Sequence, residues 1–129
     1  MKYTPITENH LFRKAYSKGK RFCGRYIAVY ILNDYAAKRI KNARPDKKYV
    51  NRIGISTSKK IGGAVVRSRV RRIIREGYYG VCRKAELKTG HLIIITARSA
   101  AASVKSRDIE NELMYAFDSL GFVVGKKEI

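Results

Sequence analysis

Acids are scarce in this sequence: ten Asp and Glu stand against 29 Lys and Arg in 129 residues, for a formal charge of +19. Charge of one sign on a compact surface repels itself, and a polyanion relieves it best. Nucleic acid is therefore the expected partner, with an anionic membrane surface second. Cysteine is nearly missing too. Cys23 and Cys82 lie too far apart for a zinc knuckle or a Cys-x-x-Cys pair. Their neighbours are apolar or small, so both are expected as buried free thiols. No apolar run approaches the roughly 20 residues of a membrane span. The opening Met1-Lys2-Tyr3-Thr4-Pro5 lacks the apolar block of a secretory signal. A reducing cytoplasm is the expected location.

The same scarcity argues against a self-sufficient enzyme. A metal nuclease needs clustered carboxylates, and the basic region offers only Glu8, Asp34 and Asp46, without ligand spacing. His10 and His91 fall in different elements, and no nucleophile motif is visible. Glu76 is expected to pair with Arg72 or another helix arginine rather than to act as a base.

What is present is lopsided. Through Arg75 there are 21 bases against three acids; from Glu76 onward, eight bases meet seven acids. The partner is expected on surfaces built by the first three-fifths of the chain.

Periodicity supplies the elements. Thr7 is a plausible N-cap for a short helix running to about Lys18, with Gly19 as its stop. Leu11, Phe12, Ala15 and Tyr16 make its apolar stripe. From Arg21 to Leu32 the period is two. Phe22, Tyr26, Ala28, Tyr30 and Leu32 point one way, and Cys23, Ile27, Val29 and Ile31 the other, with Gly24 as a bulge that breaks the run into two pieces. The segment Ala36–Lys48 is basic, aperiodic and carries Pro45, so it reads as a long exposed loop. A second strand spans Val50 to Thr57. The run Ser58 to Gly63 then turns into a long helix ending near Lys84. The all-apolar centre of Leu92–Thr96 predicts a strand buried on both sides. A last helix, about Ser103 to Leu120, carries Ile109, Leu113, Ala116, Phe117 and Leu120 at core spacing. The order predicts an α+β sandwich of helices on a small mixed sheet.

On the long helix, Val66, Val70, Ile73, Ile74, Gly77 and Val81 fall within about 100° on a helical wheel, forming a core stripe. Arg67, Arg71 and Arg75 make a row at i, i+4 and i+8 beside it; Arg72 lies further round and Arg69 on the opposite flank. These five arginines in nine positions would repel one another on an isolated helix, and phosphates along that face would relieve them. A planar guanidinium donates two hydrogen bonds to a phosphate while staying charged. Ahead of the row, Gly62-Gly63 lets backbone come close to a partner, and the helix N-terminus adds free N–H donors.

The run Lys59-Lys60-Ile61-Gly62-Gly63-Ala64-Val65-Val66-Arg67-Ser68-Arg69-Val70-Arg71-Arg72-Ile73-Ile74-Arg75-Glu76 resembles the hallmark segment of the bacterial ribonuclease P protein subunit. That family reads Lys, any residue, Gly, any residue, Ala-Val, any residue, Arg-Asn-Arg, then a basic pair and Arg-Glu. Asn9–Gly19 is similar to its first helix and Leu92–Ala97 to its last strand. Two departures stand out. Ser68 replaces the usual Asn and has a shorter reach, and Gly63 stands where a polar or basic residue is common.

The resemblance implies one RNA-binding domain over residues 1–129. Its order is α-β-β-β-α-β-α, with a small mixed four-stranded sheet and a left-handed β-α-β crossover. It also implies a ribonucleoprotein that removes the 5′ leader of precursor tRNA. The RNA subunit would perform the hydrolysis and hold most of the Mg2+, so no catalytic residue is expected in the protein. Lys59, Lys60, Arg67, Ser68, Arg69, Arg71, Arg72 and Arg75 are the expected contacts to the catalytic RNA. Phe12, Tyr16 and Tyr30 are expected to line a cleft for the precursor leader, since aromatic faces stack on unpaired bases whatever their sequence. A ribosomal RNA-binding sandwich would share the charge and fold but not the Lys-Gly-Ala-Val-Arg segment.

Overall fold

The structure, a computed structural model, describes residues 4–6, 9–34 and 51–126. The expected basic loop Ala36–Lys48 and the expected cap Thr7 lie outside them. In chain order the elements are β1 (Thr4–Pro5), α1 (Asn9–Lys18), β2 (Lys20–Cys23), β3 (Ile27–Asn33), β4 (Arg52–Ser56) and α2 (Ala64–Lys84). There follow β5 (Ala85–Leu87), β6 (His91–Ala97), α3 (Ser106–Ser119) and β7 (Val123–Lys126). Single 3-10 segments at Lys59–Ile61 and Ser99–Ser103 lead into α2 and α3.

The α+β reading holds, on a mixed sheet ordered β1-β4-β6-β3-β2. The pairs β1/β4 and β4/β6 are parallel, and β6/β3 and β3/β2 antiparallel. Four strands carry the sheet, and the two-residue β1 extends its edge. A separate ladder joins β5 to β7. Segments of two to four residues are too short to show a period, which is why neither was expected.

The sheet separates two cores. On one face Ile27, Val29, Ile31, Ile53, Ile93 and Ile95 pack against α2 and α3. The expected helix stripe is there: Val70, Ile73, Ile74, Gly77 and Val81 are buried and Val66 is half-buried. Tyr78 joins them, its phenol held above the ordinary range by burial and by the neighbouring Cys82. Gly77 lets the two helices approach, since a Cβ there would lie 3.0 Å from the Glu110 backbone nitrogen. The last helix starts three residues later than expected, where the Asp108 carboxylate accepts the Lys105 N–H at 3.0 Å. On the other face, α1 covers Leu92 and Ile94 with Ala15, Leu11 and Phe12, joined by Ile6, Tyr30 and Leu32. Strand β6 is thus buried on both sides, as its composition predicts.

One stretch differs from its expected form. The run breaks at Gly24 as expected, but residues 20–33 form an antiparallel hairpin rather than a strand with a bulge, and the turn resets the alternation. Phe22 pairs with Val29 and so faces the α2–α3 core, where Tyr26 packs too; neither shares a face with Tyr30. Glu112 on α3 makes this turn. Its carboxylate accepts the N–H groups of Arg25, Tyr26 and Ile27 at 2.5–2.9 Å. The expectation for Cys23 also fails. It sits on the short edge strand and is exposed, while Cys82 is half-buried.

Candidate nucleic-acid interface

Two surfaces carry the candidate residues. The first begins where β4 ends. Lys59 and Lys60 lie exposed in a 3-10 turn, and Gly62 takes a φ of +154°, a conformation that favours glycine. At Gly63 a Cβ would meet nothing within 4 Å. A side chain fits there, in keeping with the polar residue the family tends to carry. The start of α2 has no side-chain cap, so its first N–H groups and positive dipole end are offered to an anion.

The arginines behind that start are not equivalent. Arg71 donates to Thr57 Oγ1 at 3.0 Å and to Ser68 Oγ at 3.3 Å, which fixes its guanidinium beside the end of β4. Ser68 therefore steadies an arginine. Arg67 is half-buried, and its Nε–H is enclosed without a partner; leaving such a donor unmet costs on the order of 1–3 kcal/mol. Arg72 and Arg75 are exposed. Arg69 is different: its two Nη groups donate to the Ala102 and Val104 carbonyls at 3.1 and 2.9 Å. It ties α2 to the segment before α3, a structural task that helical spacing cannot reveal. Glu76 is exposed, and among the described residues it makes no ion pair with Arg72.

The second surface lies on the α1 side of the sheet, where Phe12, Tyr16 and Tyr30 come together. The Phe12 ring lies over β4 because residue 54 is glycine; a Cβ there would sit 2.5 Å from Phe12 Cζ. Tyr16 stands edge-on to Tyr30, with ring centroids 4.8 Å apart at 87°, and its hydroxyl lies 3.2 Å from Thr96 Oγ1. Tyr16 is 40% exposed, whereas Phe12 and Tyr30 are half-buried. Arg21 and Cys23 pair with Tyr30 and Ala28, so they edge this surface. Arg98 contacts the Cys23 sulfur.

Sequence reading missed the residues that connect the two surfaces. Arg25 and Arg98 join Lys60 and the hydroxyls of Ser58 and Ser99 around a hollow of about 320 Å³. Arg25 belongs to the unexpected turn, and Arg98 follows a strand read for its apolar centre. Among the described residues no group of three or more His, Cys, Asp or Glu could hold a metal ion, and no helix is long and apolar enough to cross a membrane.

Fold and surface together define a class: small basic α+β sandwiches with an arginine-rich helix laid across a mixed sheet. A family model described as Ribonuclease P matches residues 1–121. A ribonuclease P protein component from Clostridium acetobutylicum is 40% identical over 124 residues, covering 96% of this chain and 94% of the relative. The one from Clostridioides difficile is 35% identical, covering 79% and 78%. The solved RNase P protein of Staphylococcus aureus superposes with a TM-score of 0.71 at 29% identity, covering 94% of this chain and 98% of that one. The chain belongs to the ribonuclease P protein component family.

Proposed function

We propose that this protein is the subunit of a ribonuclease P ribonucleoprotein that binds both the catalytic RNA and the 5′ leader of precursor tRNA. By doing so it promotes magnesium-dependent removal of the leader. The observation that carries the reading is the separation of two surfaces with different chemistry. The α2 start offers guanidinium groups and free backbone N–H, which suit the closely spaced phosphates of a folded RNA. The α1 side offers aromatic rings, edged by Arg21, which suit an unpaired strand of any sequence. Hydrolysis is assigned to the RNA. Phosphate oxygens are hard ligands for Mg2+, whereas a protein surface of this charge repels a cation. The protein's contribution is to neutralise phosphate and hold the leader, which lowers the Mg2+ that the RNA needs for the same task.

The test adds the protein to its cognate catalytic RNA and precursor tRNA at low Mg2+. Accurate 5′ cleavage is expected to rise steeply. No improvement overturns the proposal, and cleavage by the protein alone would make it a protein-only ribonuclease.

Within the cleft, Tyr16 separates binding from folding better than Phe12, whose ring is seated on Gly54. Tyr16→Ala is expected to weaken binding of precursor tRNA by the holoenzyme by about 1–3 kcal/mol, the worth of one stacked base. Leaderless tRNA is expected to bind as before. Equal losses for the two ligands would show that Tyr16 does not meet the leader.

A further inference from the structure

At the opposite end of the sheet from the arginine helix start lies a hollow of about 470 Å³, walled by Ile31, Leu120 and Phe122. Its polar lining among the described residues is Lys18, Lys20, Lys88, His91 and Asn33, with no acid. We propose that this hollow is a second phosphate pocket, which takes the backbone of an RNA segment other than the leader. The inference rests on the reading that the protein binds RNA, but its residues are separate from both surfaces described above.

The pocket is built rather than accidental. The loop that brings Lys88 and His91 together is held from several sides. Asn51 Nδ2 donates to the Lys88 carbonyl at 2.7 Å, and its Oδ1 accepts the His91 N–H at 3.0 Å. The Lys88 N–H reaches the Phe122 carbonyl and the Asp34 N–H the Gly90 carbonyl, both at 3.0 Å. Gly90 turns the loop with a φ of +77°. The His91 ring stands edge-on to Phe122 at 5.0 Å, and its Nδ1 lies 2.7 Å from the Thr89 carbonyl. A carbonyl only accepts, so Nδ1 carries a proton and the neutral ring presents Nε2 as an acceptor; the donors for a phosphate are the lysine ammonium groups. At the nearby end of α3, the carbonyls of Phe117 and Asp118 already accept from Phe122 and Gly121. That use blunts the negative end of the helix beside the pocket.

Position sets the pocket apart from the cleft. Lys20 pairs with Ile31, and Ile31 and Phe122 belong to the α2–α3 core. The hollow therefore lies across the end of the sheet, where Lys18 and Leu32 of the α1 side meet Lys20, Ile31 and Phe122 of the other. Its His91 end is separated from the Arg98 end by the length of β6, about 20 Å at roughly 3.3 Å per residue. The phosphate comes either from the catalytic RNA or from the body of the tRNA.

The test combines Lys18→Ala, Lys20→Ala and Lys88→Ala. All three side chains are exposed, so the melting temperature should hold. Binding is measured over a range of salt in two arms: to the catalytic RNA, and, for the holoenzyme, to precursor and leaderless tRNA. The expected result is a salt slope flatter by about 0.7–0.9 per lost phosphate contact in one arm, and that arm identifies the RNA. The matching Lys→Arg variant should keep the slope. A loss confined to precursor tRNA would put the phosphate in the leader and overturn the proposal. So would unchanged slopes in both arms, provided Ala at Arg67, Arg71 and Arg75 still flattens its own slope. If neither set of variants changes a slope, the RNA-binding reading falls with it.

Discussion

Replacing Arg67, Arg71 and Arg75 together with Ala should leave a folded protein that binds its catalytic RNA on the order of 100-fold more weakly at physiological salt. The estimate follows from counterion release. Each phosphate contact contributes about 0.7–0.9 to the slope of log affinity against log salt, so three contacts flatten it by about 2–3. Stability should change little, because these arginines lie outside the buried stripe of α2 and repel one another along it. The losses include the Arg71 bonds to Thr57 and Ser68, each worth about 1 kcal/mol. What is gained is relief of like charge and of the enclosed Arg67 Nε–H. Filter binding across a salt series, with a thermal melt of each protein, checks both halves. An unchanged slope would mean that the row faces water. Arg69→Ala should do the reverse and lower stability more than it alters the slope, since its two Nη groups hold the segment before α3.

Asp34→Ala should destabilise the fold by about 3–5 kcal/mol. Arg52 is buried, and its Nε and Nη2 donate to the two Asp34 carboxylate oxygens at 2.6 and 2.9 Å. Removing the carboxylate takes two charge-assisted hydrogen bonds from a buried guanidinium. On per-residue unfolding entropies, the melting temperature of a domain this size should fall by about 10–20 °C. Asp34→Ala combined with Arg52→Met should recover much of that, because the penalty comes from keeping a buried charge without its carboxylate rather than from the missing bonds themselves. A single variant melting within two or three degrees of the parent would show that the pair is solvated. RNA affinity below the melt should be nearly unaffected, the converse of the arginine variant.

How much of this was legible depended on distance along the chain. The helices α1, α2 and α3 and the strand β6 announce themselves, because each buries one face and so writes a period into its own residues. The arginine row was readable for the same reason. The hairpin was not. Its Gly24-Arg25-Tyr26 turn carries no Asn-Gly or Asp-Gly signal. The groups that fix it are the carboxylate oxygens of Glu112, on another element. That error carried Phe22 and Tyr26 to the wrong face and left Arg25 unnoticed. Arg69 and the Asp34–Arg52 pair were hidden in the same way. An arginine that binds phosphate and one that binds a backbone carbonyl look alike in sequence, since the difference lies in what the rest of the chain brings to it. Among the cleft residues, helical spacing put Phe12 and Tyr16 on one stripe, but only the family resemblance brought them to Tyr30, and the room for Phe12 depends on Gly54.

The division of the interior by the sheet has a consequence for energetics. Among the described residues the α1 side rests on a small cluster whose buried members are Ile6, Ala15, Leu92 and Ile94, whereas the α2–α3 side buries many more. The docking of α1 thus rests on less buried apolar surface than that of α2 and α3. Two of the three cleft aromatics belong to that helix. A strand bound between α1 and the sheet would stabilise the docked state by mass action. Seating the leader and completing the fold then become one coupled equilibrium.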